Sequence, residues 1–154
     1  MDGGPDQLEM NRRLIALSEN PNVRFWRIDP AELSRSERTF LAIWELESQV
    51  NNGGFFQFFS NTSGAVVPYV VDALRTIGAA NMADLTEAAI KAVGDHAWHN
   101  DEQRSATLEG LPAQIREALD ALDERFIAYP DNLTVLLYRY ACDNRNEIRA
   151  PAEF

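Results

Sequence analysis

The two histidines of the chain lie three residues apart in the polar stretch DHAWHNDE, residues 95–102. On a helix, His96 and His99 would share a face with Asp95 or Glu102, and imidazole with carboxylate is a common metal-ligand set. The spacing does not match the H-E-x-x-H pattern, however, and the sequence fixes no third ligand. We therefore interpret both residues as surface histidines of a polar loop, and we predict no metal and no cofactor.

The other residues with possible catalytic chemistry do not form a recognisable enzyme motif. Cys142 is the only cysteine, and its position on a predicted helix beside Tyr140 is more typical of a packed thiol than of a nucleophile. Glu47 would suit a general acid beside a second carboxylate, but Glu45 on the same helix points about 160° away. The sequence contains no serine elbow, phosphate loop or kinase signature. We predict no catalytic residues and no enzyme activity.

The charge of the chain limits its partners. It has 24 acidic and 14 basic residues, a net charge of -10, and most of the excess lies in residues 78–154. This charge argues against direct nucleic-acid binding and predicts a basic partner. The lone cysteine fits a reducing compartment, and no uncharged run is long enough for a membrane helix. The N-terminus is polar and acidic, without the apolar run of a signal peptide, so we expect a cytoplasmic protein.

Hydrophobic periodicity indicates helices along most of the chain, and no run alternates apolar and polar residues with period two. We expect an all-α fold, a compact single-domain bundle of about six to seven helices over residues 1–154. The predicted helices cover about 6–18, 34–50, 54–60, 68–77, 81–93, 111–126 and 131–140. Residues 22–30 are expected to be extended or irregular, and residues 94–105 to form a loop or broken turn.

The stretch NNGGFFQFFSN, residues 51–61, joins the second predicted helix to the third. Two adjacent glycines permit a tight reversal, and the phenylalanines that follow cover too wide an arc for a surface helix, so other helices should enclose them. Gln57, between these rings, should be partly buried and hydrogen-bonded. Glu47 falls in the apolar arc of the preceding helix and needs donors. We predict that it holds the turn closed through the next helix's first backbone N–H groups and the asparagine amides.

The run from Glu47 to Asn61, followed by VVDALRTIGA, resembles the bacterial DNA-mimic protein family, which has the signature E-x-x-V-N-N-G-G-F-x-Q-[FY]-F-x-N. The resemblance is good over about residues 36–95. It implies an all-helical, acidic homodimer that occupies the DNA-binding surface of a transcription regulator. The signature positions that it implies are Glu47, Asn51, Asn52, Gly53, Gly54, Phe55, Gln57 and Asn61. These residues identify the fold more than the activity, because mimicry depends on surface acids outside the signature.

The sixth predicted helix supplies such acids. Glu117, Asp120 and Glu124 stand opposite its apolar stripe, with axial spacings of about 4.5 and 6 Å. One DNA strand carries phosphates at about 3.4 Å of axial rise, so such a row roughly imitates it. Arg116, four residues before Asp120, relieves only part of the repulsion within the row. Further acids close in sequence that we assign to partner binding are Asp101, Glu102 and Asp123.

These observations predict a non-enzymatic acidic protein that occupies a basic, DNA-binding surface of a partner such as a transcription regulator. Two alternatives remain open. One is an immunity-like or antitoxin-like protein that neutralises a toxin through the same acidic complementarity. The other is a small-ligand binder or enzyme that uses Glu47 and the Asn51–Gly54 turn.

Overall fold

The computed structural model describes residues 3–61, 65–94 and 100–154, and in these ranges the chain is helical with no β-strand. The prediction of an all-α fold is confirmed. After a short 3-10 helix, Pro30–Glu32, the long helix α2 is central and contacts α3, α5, α6, α7 and α8. The described ranges contain eight α-helices: α1 Gln7–Glu19, α2 Arg35–Ser60, α3 Val67–Thr76, α4 Ala80–Val93, α5 Asp101–Glu109, α6 Ala113–Ile127, α7 Leu133–Asp143 and α8 Arg145–Ile148.

Two of these helices were not predicted. Helix α5 lies partly inside the stretch expected to be a loop, and it is mostly polar, with only Arg104 and Leu108 buried. Its apolar periodicity is therefore too weak to signal a helix. Helix α8 is a single turn of four residues. The prediction that residues 22–30 are irregular is confirmed, although Val23 and Phe25 in this segment are buried in the core.

Helix α2 begins with a capping box. The Ser34 hydroxyl accepts a hydrogen bond from the Glu37 backbone N–H, and the Glu37 carboxylate accepts one from the Ser34 N–H. The same carboxylate is fully buried and binds Arg24 through two hydrogen bonds of 2.7 Å. This interaction ties the irregular segment before α2 to the start of the helix.

Helix α2 is kinked at its two glycines. Residues 35–52 and 55–60 form its two halves, separated by Gly53 and Gly54, whose backbone angles are not helical. Gly54 has φ +77° and ψ -178°, a conformation that is essentially restricted to glycine. The predicted end of a helix at these glycines is therefore correct, and the second half leaves in a new direction.

The second half of α2 is an aromatic plug in the core. Phe55, Phe58 and Phe59 are fully buried, as predicted. Phe55 meets Phe126 of α6 edge to face, with ring centroids 5.7 Å apart. Phe56 is only partly buried and is the exception. The kink thus places three rings between α2 and its neighbours.

None of the helices in the described ranges is both long enough and apolar enough to cross a lipid bilayer.

Candidate functional site

The acidic row, defined as Glu117, Asp120 and Glu124, lies on the solvent-facing side of α6. All three side chains are exposed. On the opposite side of the helix, Leu119 and Phe126 are 1% and 0% exposed. Burial of these two residues fixes the rotation of α6, so the helical periodicity read from the sequence does place the three carboxylates on one accessible face.

The acidic row is not neutralised by neighbouring cations. No basic residue in the described ranges lies within 4.0 Å of its carboxylates. Arg116 forms no ion pair with Asp120, because its guanidinium stacks over the Phe56 ring, 4.8 Å from the centroid. The row therefore faces solvent without an ion-pair partner in the described ranges.

Asp123, the fourth acid predicted on α6, faces the kink of α2 instead of solvent. Its Oδ1 accepts a hydrogen bond of 2.8 Å from the Phe55 backbone N–H. In this position it caps the second half of α2, which follows Gly54, a residue with no side chain to act as a cap. Burial raises the pKa of Asp123, as does the nearby charge of Asp120, while the Phe55 N–H lowers it. Asp123 is therefore a structural carboxylate with one oxygen already engaged.

The remaining predicted partner-binding acids, Asp101 and Glu102, lie in the first turn of α5 and are exposed. Carboxylates at this position interact favourably with the helix dipole. Asp101 also forms an ion pair of 3.0 Å with Arg104 on the next turn. Asp101 therefore carries less free charge toward a partner than the residues of the acidic row.

The prediction for Glu47 is wrong in its partner. Glu47 does not contact the backbone N–H groups after the kink, because Asp123 occupies the one at Phe55. Its Oε1 instead accepts a hydrogen bond of 3.0 Å from the Tyr129 hydroxyl, which itself accepts one of 2.6 Å from the Asn51 amide. Glu47 is thus linked to the turn only indirectly, through a tyrosine that follows α6.

This hydrogen-bonded chain is partly withdrawn from water. Burial raises the pKa of Glu47, and the bond from Tyr129 opposes that change. Burial also raises the pKa of Tyr129 to about 12, helped by the neighbouring Glu47 and opposed by Asn51. The hydroxyl therefore stays protonated at neutral pH and serves Glu47 as a donor.

The signature amides of Gln57 and Asn61 bind across the kink to Gln49, a residue that was not predicted to have a role. Gln49 Oε1 accepts bonds of 2.8 Å from Gln57 and 2.9 Å from Asn61. The prediction that Gln57 is partly buried and hydrogen-bonded is confirmed. Asn52 is exposed. Most of the signature thus stabilises the kink. Sequence reasoning missed Gln49 and Tyr129 and assigned Asp123 to partner binding, because their contacts depend on the kink and on the packing of α6 against α2.

The candidate metal ligands, His96 and His99, and the cysteine, Cys142, lie far apart in the chain. His96 and His99 lie outside the described residues. Among the residues that are described, no group of three or more histidine, cysteine, aspartate or glutamate side chains could hold a metal ion. Cys142 is partly buried on α7, packed against the core.

Comparison with known proteins gives one match. A family model described as "DMP19-like protein" matches residues 31–144. No curated protein and no solved structure matches the chain significantly. The family assigned to the Glu47–Asn61 signature is therefore corrected: the matching model is that of the DMP19-like proteins. The name of this family fits a DNA-mimic function at a coarse level and specifies no partner.

Proposed function

Because the chain belongs to the DMP19-like protein family, we propose that it is a cytoplasmic, non-enzymatic protein whose acidic row occupies the DNA-binding surface of a basic partner. The partner class that suits this surface is a DNA-binding protein such as a transcription regulator. Its basic groove normally faces the phosphates of DNA, and a row of fixed carboxylates competes for the same cations.

The observation that carries this proposal is the free charge of the acidic row. Exposed acids are usual in an acidic protein, but in this chain several others are committed to ion pairs, among them Glu9, Asp84 and Glu87. Glu117, Asp120 and Glu124 have no such pairing in the described ranges, although Arg116 lies on the same helix. Three adjacent carboxylates that repel one another gain most from a cationic partner.

The rigidity of α6 supports the same proposal. The helix contacts both α2 and α4, and its buried side chains hold its orientation. A preorganised row loses little conformational freedom when the partner binds, so more of the electrostatic attraction appears as affinity.

The proposal is tested by capture of partners from host lysate on immobilised protein, at low and at high salt, with identification by mass spectrometry. The test variant carries Glu117→Gln, Asp120→Asn and Glu124→Gln together. A matched control carries Glu19→Gln, Glu32→Gln and Asp143→Asn, which remove the same charge from exposed positions on other elements. Because both variants lose three negative charges, a difference in capture between them reports on the acidic row and not on the net charge.

We expect the wild type and the control to capture a DNA-binding protein that is released by salt and by competing duplex DNA, and the row variant to lose it. Capture that is unchanged in the row variant, while circular dichroism shows both variants folded, would reject the acidic row as the binding surface. Salt-sensitive capture of a toxin that does not bind DNA would instead favour the immunity-like alternative.

A further inference from the structure

A cleft beside Glu47 has no role in the proposed function. It lies between α1, α2 and the segment that joins α6 to α7, and its volume is about 610 Å³. Volumes of this size are typical of sites for small ligands or single side chains. Its lining includes Gln7, Leu8, Asn11, Glu47, Tyr129 and Asn132. A smaller cavity of about 190 Å³ shares Asn11 and Glu47 with it.

Of the described residues that line this cleft, Glu47 alone is charged. One of its oxygens accepts the hydrogen bond from Tyr129, and the other has no donor among the described residues. The cations nearest along α1, Arg12 and Arg13, both pair with Glu9. A partly buried carboxylate with one free oxygen and no counter-ion favours a cationic ligand.

Tyr129 holds this carboxylate at a cost to its own backbone. It follows the C-terminal end of α6 with φ +52°, in the left-handed region where glycine is usually found. A non-glycine residue pays about 1 kcal/mol or more for this conformation. In return, its hydroxyl joins Asn51 to Glu47 and fixes the direction of the carboxylate.

The other walls of the cleft suit a flat cation on an alkyl stem. Leu8, 61% exposed, offers an apolar surface on α1, and Asn11 presents an amide on the same helix face. A guanidinium group is planar, is hydrated more weakly than an ammonium group, and donates parallel hydrogen bonds to a carboxylate. A guanidinium group therefore loses less hydration free energy than an ammonium group when it moves from water into a partly buried site.

We infer that this cleft binds a guanidinium group, with the free oxygen of Glu47 accepting its N–H bonds and Leu8 covering its alkyl stem. The group can belong to a free arginine-like metabolite or to an arginine side chain of another protein. The inference does not depend on the acidic row or on DNA mimicry, since Glu47 lies on α2 and the row on α6.

Titration calorimetry with L-arginine, at constant ionic strength, tests the inference. L-citrulline is the matched ligand control, because a neutral urea replaces the guanidinium with little change of shape. Glu47→Gln removes the charge of the site. Glu45→Gln is the matched protein control, since Glu45 is also partly buried on α2 but lines a different cavity, with Trp26 and Leu41.

We expect arginine to bind the wild type and Glu45→Gln alike, and to bind Glu47→Gln about tenfold or more weakly. Citrulline should show no heat of binding. Equal binding of arginine and citrulline, undiminished binding to Glu47→Gln, or no binding of arginine to the wild type would overturn the inference. All variants are first checked by circular dichroism and thermal melting.

Nα-acetyl-L-arginine amide distinguishes the two sources of the guanidinium. If the site recognises an arginine side chain within a protein, this blocked compound should bind as tightly as arginine. If it recognises the free amino acid, the blocked compound should bind about tenfold or more weakly, because its charged amino and carboxylate groups are gone.

Discussion

Replacement of Gly54 by alanine should destabilise the fold more than the same replacement at Gly78, which also has a positive φ. Gly54 adopts φ +77°, and a Cβ at this position would overlap Asp123 Oδ2 and lie 2.9 Å from Asp123 Cγ. No flexible side-chain end can simply move aside, because the same carboxylate caps the second half of α2 at Phe55. The methyl group must displace the cap or shift the kink.

The magnitude follows from these two effects. A non-glycine residue in this backbone region costs about 1–3 kcal/mol. Loss of the Asp123 cap costs about 1 kcal/mol more. Together they give about 2–4 kcal/mol, a large fraction of the roughly 5–15 kcal/mol by which a domain is stable. At about 2–4 °C per kcal/mol for a chain of this size, the melting temperature should fall by roughly 5–15 °C.

Urea denaturation followed by circular dichroism gives the free energies of unfolding, and two alanine substitutions serve as controls. Gly78 also has a positive φ, +88°, but nothing lies within 4 Å of a Cβ there, so Gly78→Ala isolates the backbone cost. Gly53 has φ -157°, and a Cβ there would overlap the side chain of Gln57, with Gln57 Cβ 2.9 Å away. Gly53→Ala therefore carries no cost from a positive φ, but it should displace Gln57 and break its bond to Gln49, which contributes about 1 kcal/mol.

The contact with Asp123 is isolated by a double-mutant cycle. In an Asp123→Ala background, where the obstructing carboxylate is absent, Gly54→Ala should cost about 1 kcal/mol less than in the wild type. If Gly54→Ala is no more destabilising than Gly78→Ala, or if its cost is the same in both backgrounds, then the close approach of Asp123 does not explain why glycine is needed.

Three further substitutions are expected to lower the free energy of unfolding. Glu37→Gln should cost about 2 kcal/mol at neutral pH, because it weakens the buried pair with Arg24. Burial raises the pKa of Glu37, but the hydrogen bonds from Arg24 and from Ser34 at the helix start together lower it by more. The net change of the pKa is therefore downward. This stabilisation is present above the unfolded-state pKa and is lost as the pH falls through the lowered folded-state pKa, so the wild type and Glu37→Gln should converge in acid. Asp131→Ala should cost about 1–2 kcal/mol, since its carboxylate accepts a bond of 2.7 Å from the Met82 N–H and caps α4 from the loop after α6. Tyr129→Phe should cost about 1 kcal/mol through loss of its two hydroxyl hydrogen bonds. Urea denaturation measures all three, and pH-dependent denaturation measures the first.

Matched substitutions identify non-specific effects on these three measurements. Glu32→Gln removes an exposed charge close to Glu37 in sequence, and Asp143→Ala removes an exposed carboxylate. Tyr69→Phe removes the hydroxyl of a tyrosine that contacts Arg38 through its ring. Each should change stability by less than about 0.5 kcal/mol. A gap between the wild type and Glu37→Gln that stays constant into acid would contradict the assigned role of the carboxylate. If Asp131→Ala or Tyr129→Phe lowers the free energy of unfolding no more than its control does, the role assigned to that residue is contradicted.

The predictions from sequence were correct for features that depend only on residues close together in the chain. The all-α class, most helix positions and the break at Gly53–Gly54 follow from periodicity and from the conformational freedom of glycine. Sequence reasoning failed for α5, whose few buried residues leave no clear stripe. It also did not identify the cap of α4: the helix begins at Ala80, one residue before the predicted start, and Asp131 supplies the cap from a distant part of the chain.

The sequence by itself determined that Glu117, Asp120 and Glu124 share one face of a helix, because residues three and four positions apart are neighbours on any α-helix. Only the tertiary structure decided that Asp123 turns inward to Phe55, 68 positions away, and that Glu47 meets Tyr129, 82 positions away. Local periodicity gives the direction of a side chain around its own helix axis. The donor that a carboxylate meets there depends on which other helix packs against that face, and this is fixed only when the whole core assembles.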